Sequence, residues 1–265
     1  MRSRRRTMKP LRVCVAVAST VGGGIVLPAS RALAAGCAQS QVPQFFVGNT
    51  SSTSAGNAGY GVSGVLELHS YGFTTSGCDY TAGLPVIQSV HLRASGSLNY
   101  VELVDAERMN STPTRYMRTF SEVSDAGNVS TWTYRDPNIS ETADSVAPCH
   151  QTIGLYTTFK VERLNQTPDG RWTWQLVMDC NAGGGWQQLD NRSSHFKAGR
   201  SLGEFEAQFS GVEQYAHEYG LRERVNSTWN SWSGIQCDPT PQFMTTHVAP
   251  VSNSEYVTST SGSVC

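Results

Sequence analysis

From residue 61 onward, hydrophobic and polar positions alternate along a series of short segments. VIQSVHLRA (86–94) and RWTWQLVMDC (171–180) are typical: they are rich in β-branched or aromatic residues and are bounded by Gly, Asn, Asp or Pro. A period of two is typical of strands with one buried face. Only QYAHEYGLRER (214–224) suggests a short helix. The pattern predicts an all-β protein, a single jelly-roll-type antiparallel β-sandwich with little helix, over residues 61–265.

The clearest turn in this pattern is NQTPDG (165–170), where Pro168 fixes φ and Gly170 tolerates a positive φ. It predicts a hairpin between the two segments that flank it. The residues expected together on one face of that hairpin are Trp172, Trp174, Leu176 and Met178, and the two tryptophans are expected in the core.

The first 35 residues have the pattern of an export signal. A basic stretch (MRSRRRTMKPLRV) precedes an apolar stretch and a small-residue cleavage site at Ala32 to Ala34. SRRRTMK resembles a twin-arginine signal, and a general secretory signal is the alternative. We expect residues 1–35 to be removed, residues 36–60 to form an irregular lead-in, and the protein to be secreted. A lipid anchor at Cys37 is the alternative, because the residues before it loosely resemble a lipoprotein cleavage site.

Loss of the signal changes the charge of the chain. The full chain has 20 basic and 21 acidic residues; the signal holds seven of the basic residues and no acid, which leaves 13 against 21 and a net charge of −8. An acidic protein without basic runs is not expected to bind nucleic acid. No stretch is long and apolar enough for a membrane span. We expect a monomer whose partner is an extracellular polypeptide or glycan.

Six cysteines follow the signal, and an even number in an oxidising compartment predicts three disulfides. The pairing is open, and Cys265 would anchor the end of the chain. The six are Cys37, Cys78, Cys149, Cys180, Cys237 and Cys265. No C-x-x-C motif or Cys/His cluster has metal-ligand spacing, so the sequence predicts no metal and no cofactor.

One predicted strand, in SLGEFEAQFSG (201–211), carries a row of carboxylates. Alternation places Glu204, Glu206 and Gln208 on the face opposite Phe205 and Phe209. A solvated outer surface would explain this row, and so would the floor of a catalytic groove.

A second strand, in GSLNYVELVDAE, places Tyr100 and Glu102 opposite Val101 and Leu103. If Glu102 and Glu204 lay on neighbouring strands, the two carboxyls could share one proton. One would then act as a general base on water, and the other as an acid.

Five segments in order resemble the neprosin-like glutamic peptidases: YGVSGVLELHS, SVHLRASGSLNYVEL, TRYMRTFSEVSDAGN, DGRWTWQL and GEFEAQ, spanning about residues 59–210. The resemblance implies a β-sandwich that hydrolyses peptide bonds at acid pH with two catalytic glutamates. By position these fall on Glu102 and Glu204, with Glu206 as a substitute for the second.

The alternative function is a non-catalytic jelly-roll protein that binds a glycan or a surface. Trp229 and Trp232, in the polar stretch STWNSWSG, would form an exposed aromatic pair beside a groove that also contains Tyr100 and Gln208. The six scattered histidines have no G-x-S-x-G motif nearby, so we interpret them as exposed or hydrogen-bonded rather than catalytic.

Overall fold

The computed structural model describes residues 44–53, 59–68, 86–93, 99–109, 115–151, 156–180, 185–207, 215–237 and 247–259. These residues are almost entirely β-structure, apart from a single 3-10 turn at Thr50–Thr53. The strands, numbered in chain order, are β1 Gln44–Asn49, β2 Gly61–Leu68, β3 Val86–Arg93, β4 Tyr100–Met109, β5 Arg115–Asp125, β6 Asn128–Arg135, β7 Ser145–Val146, β8 Tyr156–Gln166, β9 Trp172–Asp179, β10 Gln187–Ser194, β11 Arg200–Ala207, β12 Tyr215–Val225, β13 Thr228–Ser231, β14 Ile235–Cys237, β15 His247–Ser252 and β16 Glu255–Ser259.

The strands form two large sheets that pack face to face, as the alternating pattern predicts. The first sheet has the order β14-β1-β11-β3-β4-β5-β6-β7, and the second has the order β10-β9-β8-β2-β12-β16-β15, with β13 paired to β12. All the pairs are antiparallel except β6 with β7. The predicted β-sandwich is confirmed. The described part of the chain has no helix of the length and apolarity that would cross a membrane.

The core lies between the sheets and is built from every second residue of the central strands. Val90 and Leu92 of β3 are fully buried there, as are Val101 and Leu103 of β4. The second sheet contributes large side chains at facing positions: Phe159, Trp174, Leu176, Met178 and Tyr256. Because one face of β3 and β4 is committed to this core, their intervening side chains must point to the opposite face.

The predicted hairpin is present between β8 and β9, which pair from Thr158 opposite Asp179 to Gln166 opposite Trp172. Its turn has Gly170 at φ +86°, a conformation that favours glycine. The face predicted to carry these four residues is the inner one: Trp174, Leu176 and Met178 are fully buried, and Trp172 packs partly buried against the core.

The prediction of a short helix at 214–224 is wrong, because that segment is strand β12. It pairs with β2, β13 and β16, and its register with β2 shifts between Tyr219 and Arg222, next to Gly220 at φ +60°. The shift places Glu218, Leu221 and Glu223 inward. These buried residues are separated by three positions and then by two, so the strand period of two is interrupted. The step of three residues is also found on the buried face of a helix, which explains the wrong prediction.

The lead-in assigned to residues 36–60 contains regular structure. Strand β1 lies inside it and pairs with both β11 and β14. Val47 of β1 belongs to the core, so this part of the segment is integral to the sandwich.

Two of the predicted disulfide cysteines pair with each other. Cys149, which follows β7, is linked to Cys180 at the end of β9, across 31 residues of sequence. Cys237 is also disulfide-bonded. Cys37, Cys78 and Cys265 lie outside the described residues, so the number of three disulfides stays a prediction.

A buried carboxyl of the second sheet lies against the strand that carries Glu204. Glu218 is 1% exposed, and a Cβ added to Gly203 would overlap both its carboxylate and the hydroxyl of Tyr256. Burial raises the pKa of Glu218 from 4.5 to about 8, and the neighbouring Tyr256 and Gln88 offset only part of this effect. Glu218 is therefore neutral in the folded protein at acid pH, and a neutral carboxyl costs less free energy to bury than an ionised one.

Glu218 should make the free energy of unfolding fall as pH rises. Between about pH 4.5 and pH 8 the unfolded chain loses this proton while the folded chain keeps it, so folding is favoured most at the acid end. We expect Glu218→Gln to stabilise the protein relative to wild type by a few kcal/mol at pH 8 and by little at pH 4. Urea unfolding of both proteins at several pH values measures this difference. A difference that does not vary with pH would contradict the assignment.

Candidate active site

A polar and buried face of the first sheet lies on the side of β3 and β4 away from the core. Alternation places Ser89 and His91 of β3 on this face, opposite Val90 and Leu92. Ser89 is fully buried and His91 is 2% exposed. Buried polar side chains require partners, and here the partners come from the strands on either side.

The two predicted glutamates flank β3. Glu102 of β4 is the register partner of His91, and Glu204 of β11 is the register partner of Ser89. A carboxylate oxygen of each lies 3.5 Å from Nδ1 of His91. Both glutamates are buried, at 9% and 5% exposure. The two glutamates therefore lie in the same sheet but not on neighbouring strands, because β3 runs between β4 and β11. His91 of β3 lies between their carboxyls.

His91 is not the counter-ion of these carboxyls. Burial, followed by the nearby charges of Arg93 and Arg200, lowers the pKa of His91 from 6.5 to about 3. The folded protein therefore holds a neutral imidazole where the unfolded chain holds a charged one below pH 6.5. This difference lowers stability as pH falls from 6.5 toward 3.

Glu204 has a hydrogen-bond donor of its own. The hydroxyl of Ser89 donates to Oε2 of Glu204 over 3.3 Å and also lies 3.4 Å from Nδ1 of His91. A donor of this kind favours the ionised form of a carboxyl. This contact therefore favours negative charge on Glu204.

A third buried glutamate extends the polar face to the next strand. Glu122 of β5 is the register partner of Glu102 and accepts hydrogen bonds from the hydroxyls of Tyr100 (3.0 Å) and Thr131 (2.8 Å). Burial raises the pKa of Glu122, and these two donors act in the opposite direction. Burial and the charges of Glu102 and Glu122 raise the pKa of Tyr100, so its hydroxyl stays protonated.

The same face contains a set of donor atoms that could hold a metal ion. Nδ1 of His91 and one carboxylate oxygen each of Glu102 and Glu204 all lie within 4.8 Å of one another. Imidazole nitrogen and carboxylate oxygen are both ligands of zinc in proteins.

The remaining groove residues of the sequence analysis have different outcomes. Tyr100 lies on the polar face, where its hydroxyl donates to Glu122; its place in a substrate groove stays a prediction. The side chain of Glu206 and the whole of Gln208 lie outside the described residues. Trp232 is 2% exposed, belongs to the core between the sheets, and donates to the hydroxyl of Ser201. Trp229 is half-buried on β13, so the two tryptophans do not form an exposed pair.

Sequence reasoning missed Ser89, His91 and Glu122. Alternation gives a signal for Ser89 and His91, because it places them opposite Val90 and Leu92; in RTFSEVSD the adjacent polar residues Ser121 and Glu122 interrupt the alternation. A single histidine in a strand pattern shows no partners, and His91 acquires its surroundings only from the pairing of β3 with both neighbours.

A separate pocket of about 730 Å³ opens at the edge of the sandwich between β5, β6 and β10. Its lining includes half-buried Trp132, whose ring faces the guanidinium of Arg192, and an exposed pair in which His195 Nδ1 lies 2.8 Å from an Asp125 carboxylate oxygen. Neither Glu102 nor Glu204 lines this pocket. One aromatic ring among polar side chains is a surface that a small polar ligand could contact.

Comparisons with known proteins give distant structural likenesses alone. No family model matches the chain and no curated protein matches it, so the neprosin-like family is not confirmed. Scytalido-glutamic peptidase with a transition state analog inhibitor is 10% identical, with 83% of this chain and 98% of that chain covered and a TM-score of 0.41. SCP-B, a member of the eqolisin family of peptidases in a complex with a tripeptide, is 9% identical, with the same coverage and a TM-score of 0.40.

A protein of a different kind has a similar likeness. The exoplasmic/lumenal domain of VIP36, in its Ca²⁺/Man-bound form, is 11% identical, with 76% of this chain and 81% of that chain covered and a TM-score of 0.34. Likenesses of this strength do not assign an activity, which depends on the side chains of the site.

The state of His91 gives a test of the site that is independent of activity. Because burial lowers its pKa to about 3, we expect the ¹⁵N chemical shifts of its ring to stay those of neutral imidazole from pH 4 to pH 8. Nuclear magnetic resonance of ¹⁵N-histidine-labelled protein measures this, and His91→Gln identifies the signal by its loss. A His91 signal that titrates near pH 6.5 would show that the site is open to water.

Proposed function

We propose that this protein is a secreted hydrolase that cleaves peptide bonds at acid pH with Glu102 and Glu204 as its catalytic pair. The observation that carries the proposal is the placement of two buried carboxyls at the same 3.5 Å distance from one neutral imidazole. Export is supported by the signal-like pattern of residues 1–35 and by the disulfides.

Charge determines how the pair would work. Two carboxylates this close repel each other, and a neutral imidazole does not compensate them, so the pair favours holding one proton. The hydroxyl of Ser89 favours the ionised form of Glu204. We therefore assign Glu204 as the general base and Glu102 as the protonated acid.

The reaction needs no covalent intermediate. Glu204 removes a proton from a water molecule as the water oxygen attacks the peptide carbonyl carbon. Glu102 donates a hydrogen bond to the carbonyl oxygen as negative charge develops there, and then passes its proton to the leaving amine as the C–N bond breaks. The products are a carboxylic acid and an amine, and the pair still holds one proton, which must move from Glu204 back to Glu102 before the next cycle.

The two glutamates should respond differently to substitution. Glu204→Gln removes the base, and we expect it to lower kcat by about 10²–10⁴ at every pH. Glu102→Gln keeps an N–H donor for the carbonyl oxygen but has no transferable proton, so we expect a smaller loss and a changed pH profile. Wild-type activity should be highest at acid pH and fall as the last proton of the pair is lost.

A peptide-library digest from pH 3 to pH 7 with chelator-treated protein measures these effects. Glu255→Gln is the matched control, because Glu255 lies on β16 in the other sheet and is bonded to His217; it should cleave like wild type. The proposal fails if wild type cleaves nothing, or if Glu102→Gln and Glu204→Gln both cleave as fast. Activity that is lost on chelation and restored by metal would identify a metallohydrolase instead.

The alternative function, binding of an extracellular glycan without catalysis, is favoured by one feature, the pocket that contains Trp132. A sugar ring could stack on this indole while the surrounding polar groups contact its hydroxyls. A glycan array probed with wild type should then give hits that Trp132→Ala loses and Trp229→Ala keeps. An array without hits, or hits indifferent to Trp132, would remove this alternative.

A further inference from the structure

Three donor atoms lie close together on the polar face: Nδ1 of His91 and one carboxylate oxygen each of Glu102 and Glu204. Each carboxylate oxygen lies 3.5 Å from Nδ1 of His91, which is long for a hydrogen bond. Two ligands that each lie about 2.1 Å from one tetrahedral zinc ion are about 3.4 Å apart. The two observed distances are therefore close to edges of a zinc coordination shell. The third separation, between the two carboxylate oxygens, is no more than 4.8 Å.

The three donors are held in place by the sheet itself. His91 and Glu102 are register partners on β3 and β4, and Glu204 lies across β3 on β11. All three side chains are on strands that pair along their whole length, and the opposite faces of β3 and β4 are packed into the core. A site on rigid strands needs little ordering when an ion binds.

The chemistry of the set selects among cations. One imidazole nitrogen with two carboxylates suits Zn²⁺ and similar transition metals, whereas Mg²⁺ and Ca²⁺ prefer oxygen ligands alone. Arg93 and Arg200 are close enough to act electrostatically on His91, and their charge opposes a cation. The affinity should therefore be modest.

We propose that His91, Glu102 and Glu204 form a binding site for a divalent transition-metal ion of the Zn²⁺ type, which acts as an inhibitor of the catalytic pair. Binding releases the proton shared by the two carboxyls, because both must be ionised to ligate the metal. With the proton gone and both carboxylates engaged, neither the base nor the acid is available. The inhibitory role rests on the proposed function, whereas the metal site does not.

Direct titration tests the site without any activity. Zn²⁺ is added to purified, chelator-treated protein at pH 6.5 in competition with a chromophoric chelator, and Mg²⁺ is titrated in parallel. We expect one saturable Zn²⁺ site per chain and no comparable Mg²⁺ site. His91→Gln, Glu102→Gln and Glu204→Gln should each weaken Zn²⁺ at least about tenfold. Glu122→Gln is the matched control on the same polar face and should stay within about threefold.

A spectroscopic measurement covers the case in which a variant does not fold. Co²⁺ added to wild type should give the intense visible absorption of a four- or five-coordinate site, and Zn²⁺ should displace it. A spectrum of the weak six-coordinate type, the absence of a saturable Zn²⁺ site in wild type, or equal Zn²⁺ affinity in all folded variants would each overturn the proposal.

The metal site and the proposed function fail separately. Zn²⁺ binding without peptide cleavage by the metal-free protein would support the site and remove the function. Cleavage by the metal-free protein without Zn²⁺ binding would do the reverse. If both hold, added Zn²⁺ should inhibit cleavage with the same concentration dependence as the titration.

Discussion

The burial of both faces of β3 is the constraint on which the rest of the site depends. On one face Val90 and Leu92 are sealed into the core, which fixes the strand in position and register. On the other face Ser89 and His91 are just as buried but polar. A polar face in this position is tolerated only with partners on the neighbouring strands. Carboxyls on β4 and β11 provide them, so packing on one side of the sheet brings distant acids together on the other.

Much of the fold could be read from the sequence because its strands keep a strict period of two. The segments 86–94 and 171–180 match β3 (Val86–Arg93) and β9 (Trp172–Asp179) to within one residue at each end. Trp174, Leu176 and Met178 were expected on one face for the same reason, and that face is buried. The period fails in β12, where the register shift at Gly220 separates Glu218 from Leu221 by three residues. Alternation cannot detect a strand that contains its own irregularity.

The candidate site was harder to predict than the fold, since it depends on which strands become neighbours. Glu102 and Glu204 were selected from their own segments and from a family resemblance, and they were expected on neighbouring strands. Their separation by β3 follows from a crossover that no local pattern encodes. The same crossover turns His91 from an isolated histidine into the centre of the group. Trp232 was misplaced for a related reason: a polar sequence neighbourhood does not reveal that Leu221 and Ser201 surround it in the core.

Gly203 joins the polar face to the interior of the sandwich. It immediately precedes Glu204, and its missing side chain lets Glu218 and Tyr256 of the second sheet approach β11 closely. Glu218 has no place on the polar face, yet burial raises its pKa as burial also raises that of Glu122. Carboxyls are buried on both sides of the first sheet, and their burial costs the least free energy when they are protonated and neutral. The proposed catalytic pair must also keep one proton, so a low pH favours it for the same reason that it favours neutral Glu218 in the core. A falling pH therefore favours both the neutral buried carboxyls of this fold and the single proton of the proposed pair, whereas the neutral imidazole of His91 lowers stability below about pH 6.5.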